Sequence, residues 1–423
     1  MGPRVITSSI GNTVLTEYEF IKPLGEGSFG SVWLANNTAL NYQVAIKVLP
    51  KALFTDTISI TRLQREINLQ KNMDHPFIAK LFHHIEDPEN HYLVMEYVEN
   101  GNLLDYVNEN GRLNDEQARK YFLQLISVLD YLHNKLHIAH RDLKAENILL
   151  DKNRNIKVID FGLSRQFTDA DPQLQTACGS PAYAAPEMIL GEPYDKSCDI
   201  WSAGILLYAI SCRELPFDDN DTQATLRRIV YTEPVFPHYL SSALIDLLKK
   251  MLKKNPQKRI TLEGIKNHHW FSQTQYSVAE PTDDVLTDET AIDKHVVDEM
   301  IELNIPIDGL NEAILAKDMN ALTSLYEQLR RKHLNTPPEQ RIPSAKTQIK
   351  DGQTIPPLKA TLARPTTKFP FGAANKPRQL AAAQMGVAIP QRRMSRPVAV
   401  RRPIKPAIPP QQPYDARPAA ILQ

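Results

Sequence analysis

The stretch His140-Arg141-Asp142-Leu143-Lys144-Ala145-Glu146-Asn147 follows a long helical pattern and precedes a short strand pattern, Ile148-Leu149-Leu150. A second strand pattern, Ile156 to Ile159, ends in Asp160-Phe161-Gly162. Asp142 and Asp160 on adjacent turns, with Asn147 between them, form an oxygen-donor set suited to a divalent cation. Mg²⁺ prefers oxygen ligands and keeps several waters, so one or two carboxylates plus phosphate oxygens suffice. The carboxylate not committed to metal can orient a hydroxyl nucleophile and take its proton.

Working outward toward the N-terminus, Gly25-Glu26-Gly27-Ser28-Phe29-Gly30-Ser31-Val32 lies between two strand patterns. Glycines let a hairpin backbone approach phosphates closely enough for its amides to face them. A dinucleotide-binding turn would need a helix straight after the glycines and an acidic residue about twenty positions on. Here a strand follows, Val32-Trp33-Leu34-Ala35, and the residue in that neighbourhood is Lys47. Lys47 falls on the strand Val44-Ala45-Ile46-Lys47, opposite Ile46, where an ammonium can neutralise phosphates if an anion steadies it. Glu66, on a helix expected over 60–73, can be that anion. Singly, Lys47 reads as a solvated strand residue and Glu66 as a surface helix charge; the ordered set changes that reading.

Together with Ala185-Pro186-Glu187, these motifs resemble the eukaryotic protein kinase signature, in order and at ordinary spacing, over residues 18–271. The resemblance implies an α+β, bilobal protein kinase fold: a small β-rich lobe, then a larger helical one. It implies ATP and Mg²⁺ as cofactors. Leu24, Gly25, Glu26, Gly27, Ser28, Phe29, Gly30 and Val32 would cover the nucleotide, and Ala45 and Leu149 would sandwich adenine. Met95 would back the pocket, with Glu96 and Val98 offering backbone hydrogen bonds. Lys47 would pair with phosphates and Glu66; Asp142 would accept the substrate hydroxyl proton; Lys144 would steady the transferred phosphoryl; Asn147 and Asp160 would hold Mg²⁺. Lys144 and Ser180 are similar to the serine/threonine pattern rather than the tyrosine one. Glu187 should pair with Arg259, and Asp199 should hold the catalytic-loop backbone. A pseudokinase scaffold is the rival of another class; it must explain why Lys47, Asp142, Asn147 and Asp160 are all present.

Leu174-Gln175-Thr176-Ala177-Cys178-Gly179-Ser180 resembles the activation loop of the calcium/calmodulin-dependent-kinase-like group, on the AMP-activated and microtubule-affinity-regulating branch. That implies an upstream kinase acting on Thr176, the phosphate being matched to the guanidinium of Arg141. Three amphipathic patterns over 293–332 resemble the ubiquitin-associated-like or autoinhibitory segment following such domains, so a kinase held inactive until a partner arrives is the alternative within the class. Gln70 departs from the family, which places an apolar residue there; read as an unpartnered amide, it predicts that Gln70→Leu raises basal activity. The resemblance also implies protein substrates with upstream basic residues, Asp105 and Glu146 being the candidate partners.

Composition sets the remaining bounds. The 423 residues exceed one core and carry 49 basic and 49 acidic side chains. The zero balance hides an asymmetry: from Leu334 to Gln423 there are 15 Lys+Arg against 3 Asp+Glu, leaving 34 against 46 before it. That last stretch holds 16 of the 31 prolines and few large apolar residues, so 333–423 is expected to be a disordered, Pro-rich basic tail. It offers an anionic-surface partner, or a phospho-dependent adaptor at Ser395 in Arg392-Arg393-Met394-Ser395-Arg396-Pro397. Residues 1–17 read as an N-terminal extension and 272–292 as an acidic linker. No transmembrane segment and no sequence-specific nucleic-acid binding are expected. Three cysteines without zinc spacing favour a reducing, cytoplasmic setting, with nuclear entry left open.

Overall fold

Strands begin earlier in the chain than the sequence pattern indicated. The computed structural model describes residues 5–11, 13–27, 30–162, 164–166, 180–219, 221–271 and 292–335. Six strands form one antiparallel sheet: β1 (Val5–Ile10), β2 (Thr13–Gly27), β3 (Gly30–Asn37), β4 (Tyr42–Pro50), β5 (Leu81–Glu86) and β6 (Asn90–Glu96), in the order β1-β2-β3-β4-β6-β5. The segment read as an extension therefore supplies an edge strand. Its Ser8 hydroxyl meets Nδ1 of His83 on β5, the opposite edge, at 3.0 Å, so the sheet curls until its two edges touch through side chains. On β4, Val44, Ile46 and Val48 point into the sheet's own apolar core, and Ala45 and Lys47 take the other side.

Helix α1 (Thr57–Lys71) crosses that second side, starting three residues before the expected 60. Asp56 sets the start by accepting from the Ser59 amide. The helix buries Leu63, Ile67 and Gln70, and Leu63 and Ile67 pack with Leu49, Leu81 and Leu93.

The larger lobe follows: α2 (Leu103–Asn110), α3 (Asp115–Asp130), the short strands β7 (Ile138–Ala139), β8 (Ile148–Leu150), β9 (Ile156–Val158) and β10 (Arg165–Gln166), then α4 (Pro186–Ile189), α5 (Ser197–Cys212), α6 (Thr222–Tyr231), α7 (Ser242–Met251) and α8 (Leu262–Lys266). Asn114 and Gln117 close the capping box anticipated at the start of α3. Helix α5 is buried from Cys198 to Cys212, and no described helix is long and apolar enough to cross a membrane. Its core neighbours include Phe122, Trp270 and Leu248.

Three further helices, α9 (Lys294–Glu302), α10 (Leu310–Leu315) and α11 (Ala321–Asn335), lie behind the small lobe. Val296, Met300, Leu310, Leu325 and Leu329 share a core with Leu40 and Tyr42 from the β3–β4 turn region. A buried polar chain runs alongside. Thr16 donates to Asn37 Oδ1 at 2.5 Å, Asn37 to Gln328 Oε1 at 2.9 Å, and Gln328 to the Tyr18 hydroxyl at 3.0 Å. Helix α11 continues three residues beyond the expected boundary at 332, because Lys332 and His333 both reach Glu299 on α9. The linker 272–291 and residues 336–423, Ser395 included, lie outside the described residues.

Candidate active site

The β2–β3 hairpin closes with Gly27 paired to Gly30. Gly30 has φ +151°, and a Cβ there would stand 2.0 Å from the Val48 carbonyl oxygen, so no side chain fits where the hairpin lies against β4. Ser28 and Phe29 fall outside the described residues. Below the hairpin, Lys47 Nζ lies 3.4 Å from Glu66 Oε1. Burial works against the Lys47 charge, but Glu66 and Asp160 outweigh it and raise its pKa, so the ammonium is retained. A strand residue and a helix residue are thus brought together, within reach of the charge of the residue before Phe161.

Asp142 is the hub of the loop between β7 and β8. Its Oδ2 takes the Lys144 ammonium at 2.7 Å, while its Oδ1 accepts from the Ser180 amide at 2.9 Å and from the Ser180 hydroxyl at 3.0 Å. Lys144 Nζ also donates to that hydroxyl oxygen at 2.9 Å. Asn147 Nδ2 donates to the Asp142 carbonyl at 3.0 Å. The loop is fixed from below by Asp199, fully buried on α5, which accepts from the His140 and Arg141 amides at 2.8 Å each and from His133 Nε2 at 2.8 Å. Burial alone would raise the Asp199 pKa; the bond to His133, the nearby His133 and His140 rings and the Arg141 amide bring it below its ordinary value. Asp160 is exposed, with φ +63°, and the His140 and Phe161 rings, tilted against each other with centres 4.9 Å apart, tie its segment to the loop.

At the junction of the lobes the Glu96 side chain is turned toward β9. Its Oε1 pairs with Lys157 on β9 at 2.7 Å, both groups buried. Burial opposes the Glu96 charge, but Lys157 and Arg331 of α11 overcome it and lower its pKa. That nonlocal pair was missed, although a lysine in the apolar strand Ile156-Lys157-Val158 is a signal for a buried partner.

A comparison with family models matches the protein kinase domain over residues 18–271. The chain belongs to the protein kinase family. It is 36% identical over 342 residues to the SNF1-related protein kinase catalytic subunit alpha KIN12 of Arabidopsis thaliana, covering 80% of this chain and 69% of that protein. It is 38% identical over 317 residues to the serine/threonine protein kinase OSK4 of Oryza sativa subsp. indica, covering 74% of this chain. The chain spans 61% of that rice protein's length. These relatives place it on the serine/threonine side of the family, among kinases related to SNF1.

In this kinase fold Ala45 and Met95 sit opposite each other on β4 and β6, and Leu149 comes up from β8. Val98 is buried; Leu24 and Glu26 are exposed and Val32 is half-buried on the hairpin. Glu187 and Arg259 form a bidentate pair at 2.7 and 2.9 Å. Arg141 is buried, with φ +71° and its guanidinium 5.7 Å from the Tyr194 ring centre. Thr176 lies outside the described residues. Asp105, in the first turn of α2, takes a hydrogen bond from Asn102 at 2.8 Å; it and Glu146 are exposed. Gln70 has a partner after all, the Glu66 carboxylate at 3.4 Å, which removes the premise of an orphaned amide.

One other cluster, Asp246, His268 and His269, has the donor types of a metal site. Its centre is taken by protein: Asp246 Oδ2 lies 2.7 Å from Lys250 Nζ and 3.0 Å from His268 Nε2. The Trp270 amide donates to His268 Nδ1 at 3.3 Å, which leaves the proton on Nε2, facing Asp246. This is a closed ionic knot.

Proposed function

We propose that the chain is an active serine/threonine kinase that moves a phosphoryl group from Mg²⁺-bound ATP to a protein alcohol. The observation that carries this is the Ser180 hydroxyl, held between Asp142 as acceptor and Lys144 as donor. An incoming alcohol at the same carboxylate finds a proton acceptor and a neighbouring positive charge, which is what the reaction requires of the enzyme. Lys47 and the glycine hairpin fit the phosphates of ATP, and Asn147 and Asp160 supply the hard oxygen donors that Mg²⁺ takes. When bound, the metal would neutralise developing charge on the phosphates. Around it, Lys47 holds the phosphate end, Glu66 keeps Lys47 aimed, Asp142 takes the hydroxyl proton, and Lys144 steadies the group in transit. The test is transfer of labelled phosphate to a basic peptide by wild type, Asp142→Asn and Asp160→Ala protein. Magnesium-dependent transfer lost in both variants is expected; full activity in either variant overturns the assignment.

Regulation follows the same reading. Phosphorylation of Thr176 by an upstream kinase places a dianion for Arg141 and raises activity. Helices α9 to α11 are a ubiquitin-associated-like regulatory segment, and its seat behind the junction of the lobes biases how they close. Substrates carry basic residues ahead of the target, recognised by Asp105 and Glu146; an oriented peptide library with Asp105→Asn and Glu146→Gln proteins tests this. The tail serves an adaptor at phosphorylated Ser395 or an anionic surface, and a pull-down comparing phosphorylated with unphosphorylated tail separates these. The protein works in the cytoplasm, which microscopy of the tagged chain checks.

A further inference from the structure

Gln70 occupies the third position of the buried stripe on α1, after Leu63 and Ile67, and is 8% exposed. An amide in such a slot is costly unless hydrogen-bonded. Four residues back on the same face stands Glu66. Gln70 Nε2 lies 3.4 Å from Glu66 Oε1, and Lys47 Nζ lies 3.4 Å from that same oxygen. The other oxygen, Oε2, faces the backbone of Gly162, where an added Cβ would stand 3.3 Å from it and 3.3 Å from Asp160 Oδ1. Glu66 is therefore bracketed from three sides: an ammonium from β4, an amide from its own helix, and a glycine whose bareness lets the segment after Asp160 come close.

The chemistry of the bracket matters. A glutamate has three rotatable side-chain bonds, and a single ion pair at 3.4 Å fixes its carboxylate weakly. A second cation would fix it better but would compete with Lys47 for the anion and repel it. A neutral donor fixes the carboxylate without changing the charge that Lys47 meets. An apolar residue in the same place would fill the slot and leave Glu66 to Lys47 alone.

We propose that Gln70 is a positioning residue for phosphoryl transfer: its amide holds the Glu66 carboxylate in the orientation that presents Lys47 to the nucleotide phosphates. The inference rests on the kinase reading of the Lys47–Glu66 pair. It reverses the earlier expectation for Gln70→Leu, which now lowers activity because the donor is lost.

The test uses the full chain after activation, with kcat and KM measured for ATP across pH. Gln70→Met keeps length and burial but removes the donor, and is expected to lower kcat/KM for ATP about five- to tenfold, the scale of one ordinary hydrogen bond, as suits a contact of 3.4 Å, leaving KM for the peptide unchanged. Gln70→Glu discriminates a positioning role from packing. Two carboxylates one helical turn apart resist ionising together, so the introduced acid keeps its proton at low pH and donates to Glu66 as the amide does. Its activity should approach wild type near pH 6 and fall as pH rises toward 8, a limb absent from wild type and from Gln70→Met. Wild-type kcat/KM in Gln70→Met, or an unaltered pH profile in Gln70→Glu, overturns the proposal. Should Gln70→Met fail to fold, the pH limb of Gln70→Glu decides. If wild type itself shows no magnesium-dependent transfer, the kinase reading falls and takes this inference with it. If wild type transfers phosphate and the Gln70 variants match it, only this inference falls.

Discussion

Replacing Arg331 by methionine removes a guanidinium that is 5% exposed and leaves its apolar volume largely in place. In the native chain Arg331 Nη2 bonds Asp74 Oδ1, and Arg330 Nη1 bonds Asp74 Oδ2 at 3.0 Å. Asp74 lies between α1 and β5, and its amide also donates to the Tyr131 hydroxyl at 3.0 Å. Burial works against the Asp74 charge, yet Arg331, Lys80 and Arg330 together hold its pKa down to about 2. Breaking a fully buried ion pair costs about 3–5 kcal/mol. Here Asp74 keeps Arg330, and its side chain is 41% exposed, so water recovers part of that loss. The expected cost is about 2–3 kcal/mol, or roughly a 30- to 160-fold rise in the undocked population of α11. Hydrogen exchange of the α11 amides reads this directly, and a double-mutant cycle with Asp74→Asn isolates the pair. Unchanged α11 exchange in Arg331→Met, with additive effects in the cycle, would refute the reasoning that these charges fasten the helix to the small lobe.

Three other outcomes are expected. Thr176→Ala protein should gain no activity on incubation with a competent upstream kinase, whereas wild type should; equal activity of the two afterwards removes the switch. Arg259→Met strands Glu187 in a site where the paired side chains are 0% and 1% exposed, so equilibrium unfolding should show a loss of about 3–5 kcal/mol. Burial lowers the pKa of His75 and of His83 to about 4. The unfolded chain then takes up protons first as pH falls from the ordinary histidine value, and each residue withdraws about 2 kcal/mol of stability by pH 5. Urea midpoints at pH 7 and 5 measure this, and His83→Asn should flatten the difference.

How much of this was legible depends on how local the cause is. The Asp142 loop, Asp160-Phe161-Gly162 and the glycine hairpin are short segments whose chemistry demands fixed residue types, and they lie where the sequence pattern placed them. The capping box at Asn114 was readable for the same reason. β1 was not: Val5 and Ile10 are exposed, and the strand's partners, the Glu19–Thr13 side of β2 and His83, are supplied by the fold. The end of α11 was misplaced because His333 and Lys332 stay helical through Glu299, which lies in another helix. The Gln70 partner was within reach of the helical spacing alone. The resemblance drew attention to the stacking an apolar residue provides there, and away from the donor an amide offers to Glu66.

Asp199 has a consequence for control of the enzyme. Because the backbone next to Asp142 hangs from α5, buried along nearly its whole length, Asp142 is anchored to a deeply packed part of the large lobe. Lys47 and Glu66 have no such anchorage; they depend on a strand, a helix and an ion pair of 3.4 Å. The small-lobe half of the arrangement is therefore the part with room to shift, while the Asp142 loop keeps its place whether or not a phosphate donor has been brought into line.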